Sequence, residues 1–262
     1  MSGVETPDSR LREPIEYLVE GWRLFMDNFA SIVGVLAPLI PVTLVARIYH
    51  SDSVRYLYAE MGVTVLVQSL LLVAFIGMLP RMYEGESVSV RRAWHWGFQY
   101  WGVYLLNWIK VAVLIFVGLF LFIIPGVYLA ISFCLFGFVV VLEQHPTPLQ
   151  RCLQLVHGYR MRLLFLVALF VLYPLFEGFL NVLLRQTGSS WLLTPFAIVD
   201  IMMLGYMTTV FYLVYLDLSA GDFEEDQSIE TPGHTGAVFP LEDDSVEIDE
   251  PEEPDMQEPE KE

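Results

Sequence analysis

One uncharged run constrains the fold of this chain more than any other feature. Residues 111–142 include no charged side chain, and the apolar character extends back to Gly102 with Lys110 as the single charge. About 20 apolar residues suffice for a helix to cross the roughly 30 Å hydrocarbon core of a bilayer, so this run is long enough for two crossings. Pro125 and Gly126 interrupt it, which predicts two membrane helices joined by a tight turn.

Four further apolar runs have the same character. Residues 29–46 and 61–80 carry no charge, and residues 163–184 and 191–216 carry one acid each. The period-two alternation of a membrane barrel is absent, so helices are the way for these runs to satisfy their own backbone in lipid. The sequence therefore predicts an all-α membrane protein with six transmembrane helices, at about residues 29–48, 61–80, 102–124, 126–142, 163–184 and 191–216.

Composition and charge argue against two classes of protein, soluble enzymes and nucleic-acid-binding proteins. The chain is 55% apolar and 17% charged, whereas soluble domains are about 45–50% apolar and about 25% charged, which argues against a soluble enzyme. Most of the net charge of −17 lies in residues 221–262, which hold 17 acids and one lysine. No basic face for nucleic acid is present. We expect a polar segment at 1–13, a membrane domain at 14–217 and a disordered acidic tail at 218–262.

The distribution of arginine predicts the orientation of the chain. Cytoplasmic flanks of membrane helices carry an excess of Lys and Arg. Nine arginines flank the predicted spans on one side: Arg10, Arg12, Arg23, Arg81, Arg91, Arg92, Arg151, Arg160 and Arg162. The other side has three: Arg47, Arg55 and Arg185. We therefore expect both termini in the cytoplasm and the protein in a prokaryotic cytoplasmic membrane, with the lipid bilayer as its first partner.

Amphipathic segments precede the first, third and fifth spans. They predict three cytoplasmic interfacial helices, parallel to the membrane, that lie either in the headgroup layer or on the end of the bundle. Overlaying them suggests three units of one surface helix and a returning pair of spans, at residues 14–80, 87–143 and 146–216. Either internal duplication or common physical constraints on the three segments would account for this likeness.

Three charged residues inside the predicted spans are candidate site residues: Lys110, Glu177 and Asp200. Ionisable side chains at such depth are costly and often mark ion or substrate paths. Lys110 could instead direct its charge to the nearer boundary. Glu177 and Asp200 lie near mid-depth and could share a proton or hold a cation. Alternatively, they are structural groups hydrogen-bonded to Tyr173, Asn181, Tyr206 or free backbone.

Other recognisable chemistry is lacking in the sequence. The five histidines have no metal-ligand spacing, the two cysteines form no CxxC pair, and catalytic or nucleotide-binding motifs are absent. We predict no catalytic residues, no metal and no cofactor. In the tail, residues 239–241 (Phe-Pro-Leu) could dock a protein partner, or the whole tail is a solvated, acidic segment.

A local pattern resembles a known family. Residues 120–169, FLFIIPGVYLAISFCLFGFVVVLEQHPTPLQRCLQLVHGYRMRLLFLVAL, contain a family-like turn at Ile124, Pro125 and Gly126, then a span, a Pro-containing turn and an amphipathic helix. Together with GESVSVRRAW at 85–94, they resemble the membrane domain attached to some glycerophosphoryl diester phosphodiesterases and related stand-alone membrane families. The likeness covers roughly residues 10–217 and implies a six-helix membrane domain. It does not imply phosphodiesterase activity, which resides in a separate soluble barrel for which this chain has no room.

Three functions are compatible with these features. The leading interpretation is a non-enzymatic membrane scaffold or accessory module linked to lipid or envelope processes. A small transporter or channel that uses Glu177 and Asp200 is the alternative, and a lipid head-group enzyme at the cytoplasmic face is a third.

Overall fold

The described part of the chain is helical. The computed structural model describes residues 12–48, 54–86, 88–186 and 194–226, and these contain no β-strand. Most of the predicted N-terminal polar segment and residues 227–262 of the predicted tail lie outside them. The first part of that tail, residues 218–226, is not disordered but continues the last helix. The elements are α1 (Pro14–Asp27), α2 (Phe29–Leu36), α3 (Leu39–Ile48), α4 (Val54–Tyr83), α5 (Val90–Leu121), α6 (Ile123–Ser132), α7 (Phe136–Phe138) with a π-helical turn that continues it (Val139–Glu143), α8 (Pro148–Leu155), α9 (Arg160–Gln186) and α10 (Thr194–Asp226).

Within the part of the chain that the structure describes, five segments are long and apolar enough to cross a membrane: Gly62–Tyr83, Val90–Leu121, Ile124–Glu143, Arg160–Leu180 and Ile198–Ala220. They overlap the last five predicted spans. The first predicted span, residues 29–48, is instead two short helices, α2 and α3, with a break at Ala37 and Pro38. Because proline has no backbone N–H and crowds the preceding turn, Pro38 accounts for this break.

Helix α1 begins with strong local signals. Pro14 occupies its first turn, and Glu13 and Glu16 form a reciprocal capping box in which the Glu13 backbone N–H donates to Glu16 Oε2 at 3.2 Å. Proline is favoured at the first helical position, and a capping box satisfies two N–H groups that a helix start leaves open. The predicted amphipathic helix is therefore present where the sequence places it.

The position of α1 differs from the expected one. Successive turns of α1 meet descending positions of α10: Tyr17 meets Asp217, Gly21 meets Val210, and Phe25 meets Tyr206. The two helices thus run antiparallel and lie lengthwise against each other. A Cβ on Gly21 would lie 2.6 Å from Val210 Cγ2, so glycine permits the close approach. A helix aligned with α10 in this way does not lie parallel to the membrane if α10 crosses it.

The other two predicted interfacial helices also differ from each other. The second is continuous with the following span, because α5 runs without a break from Val90 to Leu121. The third is the separate helix α8. The three proposed units therefore have different helix boundaries, and internal duplication stays a prediction.

A single apolar core joins the helices. Among its fully buried side chains are Leu36 of α2, Phe75 of α4, Val139 of the π-turn and Val214 of α10. In contrast, α5 and α9 carry large apolar side chains on exposed faces, among them Phe98, Leu106, Phe116, Phe165, Leu172 and Phe179. Extended apolar surfaces of this kind are unusual on soluble monomers, and hydrocarbon is the environment that covers them without cost.

Candidate functional site

Asp200 lies at the contact between α9 and α10. Its carboxylate Oδ1 accepts a hydrogen bond from the Tyr173 hydroxyl, and both side chains are half-buried. Tyr173 is one of the hydrogen-bond partners that the sequence analysis predicted for Asp200. Tyr206, another of those partners, instead donates to the Leu18 backbone carbonyl at 2.9 Å.

Glu177 lies one turn beyond Tyr173 on α9. Residues four apart share a helix face, so the Glu177 side chain and the Tyr173 phenol project from the same side of α9. Glu177 is half-buried. The structure therefore places Tyr173, Glu177 and Asp200 on a small polar face within otherwise apolar helices.

Lys110 stands apart from this polar face. It is exposed on α5, and its Nζ donates to Asn107 Oδ1 at 3.1 Å, one turn earlier on the same helix. A lysine that projects outward from an apolar helix places its ammonium group at a water boundary. Of the three candidate residues, Glu177 and Asp200 therefore share the polar face, and Lys110 is not part of it.

A polar network that sequence reasoning missed fastens α1 to α10. The Tyr17 hydroxyl donates to Asp217 Oδ2 at 2.7 Å, and Arg12 Nε lies 3.3 Å from the same oxygen. Arg12 also pairs with Glu20. Burial, assisted by the Asp217 carboxylate, raises the pKa of the Tyr17 phenol, so the phenol keeps its proton and remains a donor. The sequence feature that could have indicated this network is the position of Asp217, immediately after the predicted last span.

A second missed network joins the π-turn, α8 and α10. Arg151 Nε donates to Glu143 Oε2 at 2.9 Å, and the Tyr215 hydroxyl donates to Glu143 Oε1 at 3.1 Å. Gln144, directly after Glu143, has a left-handed backbone with φ of 50°, which ends the helix and turns the chain toward α8. One carboxylate therefore connects three elements at the bend.

The thiol of Cys152 is not activated. The side chain is fully buried in α8, and burial, followed by the nearby Cys134 and Glu143, raises its pKa. A nucleophilic cysteine needs the opposite shift, toward the thiolate. Across residues 12–48, 54–86, 88–186 and 194–226, no group of three or more His, Cys, Asp or Glu residues could hold a metal ion.

The family-like turn residues Ile124, Pro125 and Gly126 lie in the first turn of α6, and the chain reverses at Phe122, a few residues before the predicted break. Helix α5 ends at Leu121, Phe122 alone is extended with φ of −158° and ψ of 141°, and α6 begins at the next residue. A Cβ on Gly126 would lie 2.6 Å from the Leu119 backbone nitrogen. Only glycine allows the two helices to meet this closely, and this explains Gly126. Pro125 lies in the first turn of α6, where a backbone N–H has no partner within the helix, so proline is tolerated there.

A cleft of about 690 Å³ opens beside α1. The charged face of the helix lines it, with Glu16, Glu20, Arg23 and Asp27, and Tyr83 and Leu213 form part of its wall. Ile15 and Val19 also line the cleft, and together with Trp22 and Met26 they form an exposed apolar stripe on the same helix. Helix α1 therefore has three faces: one packed on α10, one charged and one apolar.

Comparison with known proteins gives no further assignment of this site. No protein-family model, curated protein or solved structure matches the chain.

Proposed function

We propose that this chain is an integral protein of a prokaryotic cytoplasmic membrane, with six membrane-embedded segments and both termini in the cytoplasm. Its role is that of a non-enzymatic scaffold or accessory module in lipid or envelope processes. The excess of arginine beside the N-terminus and between the second and third, and the fourth and fifth, segments supports this orientation. The resemblance to membrane domains of the glycerophosphodiesterase type supports the link to lipid.

One observation carries the scaffold assignment: the polar groups near the ends of the helices are used to hold helices together. Asp217 joins α1 to α10, and Glu143 joins the π-turn to α8 and α10. A carboxylate that is committed to an arginine and a tyrosine is poorly suited to exchange protons or cations during turnover. We therefore assign these groups to structure, and the exposed stripe of α1 to contact with lipid or a protein partner.

Transport is the second candidate, because Asp200 lies in the apolar part of α10 and is hydrogen-bonded to Tyr173. An acid at that position could take part in a proton or cation path together with Glu177. The hydrogen bond to a protonated phenol instead favours a fixed carboxylate. A flux measurement separates these roles.

The test compares three preparations: vesicles with the wild-type chain, vesicles with the double variant Glu177→Gln and Asp200→Asn, and empty vesicles. We expect equal proton and cation flux in all three, because neither acid acts in transport. We also expect the double variant to unfold at a lower temperature in detergent, because the amide oxygen of an asparagine accepts a weaker hydrogen bond from Tyr173 than the carboxylate does. Flux that requires the wild-type chain and is lost in the double variant would establish the transporter instead.

A further inference from the structure

The cleft beside α1 combines a charged wall with an apolar wall. Its charged residues recur three and four positions apart and therefore share one face of the helix: Glu16, Glu20, Arg23 and Asp27. Ile15 and Val19 line the same cleft and begin the exposed apolar stripe that continues through Trp22 to Met26. The volume of about 690 Å³ falls within the range of about 300–1,000 Å³ that small-molecule sites have. A ligand that fits both walls is an amphiphile.

The cleft lies at the level where α4 leaves its apolar segment. Tyr83 lines the cleft and is the last residue of that segment, and the exposed turn at residues 84–86, with two glutamates, follows it. A turn with exposed carboxylates belongs outside hydrocarbon, so Tyr83 marks the boundary of the bilayer. The Tyr83 ring also contacts the Tyr212 ring, with 6.2 Å between centroids, next to the cleft residue Leu213. The cleft is therefore at the depth of lipid headgroups.

Helix α1 has one end toward water and one end toward the bilayer interior. Its first turns lie beside Asp217, near the end of the apolar segment Ile198–Ala220 of α10. Its last turns lie beside Tyr206, well within that segment. On the charged face, Glu16 and Glu20 consequently lie on the water side of Arg23.

Arg23 carries a charge that is available to a ligand. Arg12 pairs with Glu20 and with Asp217, but among residues 12–48, 54–86, 88–186 and 194–226 no side chain forms a salt bridge with Arg23. Arg23 is exposed in the cleft. A guanidinium donates two parallel hydrogen bonds to a phosphate, which makes arginine well suited to phosphate recognition.

The charges of the cleft discriminate between lipid headgroups. Three acids and one arginine line it, so an anionic headgroup would meet a wall of net negative charge. Helices that bind anionic membranes instead carry mainly Lys and Arg on their polar face. A zwitterionic amine headgroup offers a phosphate to Arg23 and an ammonium group to Glu16 and Glu20. Its ammonium group lies toward water, as these two acids do.

From the two walls, the depth and the order of the charges, we propose that the cleft beside α1 binds one phospholipid with a zwitterionic amine headgroup. Arg23 holds the phosphate, Glu16 and Glu20 hold the ammonium group, and the acyl chains lie along the apolar stripe. This site deepens the proposed contact of α1 with lipid and rests on that proposal for the membrane position. It does not depend on the scaffold role.

A lipid titration tests the site. The full chain, purified in detergent, is titrated with short-chain phosphatidylethanolamine, with phosphatidylglycerol of the same chain length and with free phosphoethanolamine, and binding is followed by native mass spectrometry. We expect phosphatidylethanolamine to bind several-fold more tightly than either of the others. Equal binding of the two phospholipids would overturn the headgroup assignment, and equally tight binding of phosphoethanolamine would replace the lipid with a soluble ligand.

Three variants separate the roles of the charges. Arg23→Gln should weaken the binding of both phospholipids several-fold, because both carry a phosphate. Glu16→Gln keeps a side chain that can complete the capping box, and should lower the preference for the amine headgroup. Asp27→Asn is the control: Asp27 lies on the bilayer side of Arg23, and the preference should be retained. Since all three residues are exposed, the variants should melt like the wild type in lipid-free detergent. Wild-type affinity in Arg23→Gln would overturn the site.

Photocrosslinking tests the apolar wall separately. Val19→benzoylphenylalanine and the control Phe116→benzoylphenylalanine, at an exposed position of α5, are reconstituted into vesicles of equal phosphatidylethanolamine and phosphatidylglycerol. We expect a several-fold excess of phosphatidylethanolamine adducts at position 19 and a ratio near unity at position 116. Equal ratios at both positions, or protein adducts in place of lipid adducts at position 19 in native membranes, would overturn the inference. A chain that remains in the vesicles but fails this test keeps its proposed membrane position and scaffold role.

Discussion

Replacing Gly126 with alanine is expected to open the α5–α6 hairpin. A Cβ at this position would meet Leu119 Cγ and Cδ2, and would lie 2.6 Å from the Leu119 backbone nitrogen. A side chain can rotate away from such a contact, but a backbone atom moves only with its helix. Overpacking of this kind typically costs about 1–3 kcal/mol, and we expect a value near the upper end.

Gly102→Ala is the matched control for this substitution. Gly102 lies in the same helix α5 and has no atom within 4 Å of an added Cβ. Alanine is favoured over glycine inside a helix by roughly 0.5–1 kcal/mol, so this variant should be neutral or slightly more stable. Thermal unfolding in detergent, followed by circular dichroism, compares the two variants. Equal melting temperatures for Gly126→Ala and Gly102→Ala would contradict the close approach at the turn.

Replacing Asp217 with alanine is expected to release α1 from α10. The substitution removes the acceptor of the Tyr17 hydroxyl and the partner of Arg12, and the Asp217 side chain is only 17% exposed. Hydrogen bonds to charged groups contribute about 1.5–3 kcal/mol, so we expect a loss of about 2 kcal/mol. Asp217→Asn keeps an acceptor for Tyr17 and should lose less.

Hydrogen exchange of the α1 amides measures the release of this helix. We expect faster exchange across residues 17–25 in Asp217→Ala, with the α4 amides little changed. Asp27→Ala is the control, because Asp27 is an exposed acid at the end of the same helix, and such surface changes usually fall within about 0.5 kcal/mol. Unchanged protection of α1 in Asp217→Ala would show that the apolar contacts alone hold it in place.

Local signals in the sequence predicted the elements that local interactions form. Apolar runs of the right length identified five segments that the structure contains as long apolar stretches. Pro125 and Gly126 predicted the hairpin turn to within a few residues, because the chain reverses at Phe122 and both residues lie in the first turn of α6. In each of these cases the cause lies within a few residues of its effect, so the sequence pattern is sufficient.

Contacts between residues far apart in the sequence could not be predicted from such local patterns. Tyr17 and Asp217 are separated by 200 residues, and no periodicity relates them. The helical pattern of α1 correctly indicated apolar and charged sides, but it could not divide the apolar side into a face packed on α10 and an exposed stripe. Pro38 lies within the first predicted span, but that span was predicted from the length of its uncharged run, and the proline was not used to divide it.

The most direct measurement determines whether lipid or aqueous solvent surrounds most of this chain. Membranes from cells that produce the full chain are washed with alkaline carbonate, which removes peripheral proteins, and then extracted with detergent. We predict that the protein stays in the carbonate-washed membranes and enters solution only with detergent, because the exposed faces of α5 and α9 are apolar. A chain that is released by carbonate, and stays monodisperse in buffer without detergent or lipid, would contradict the account.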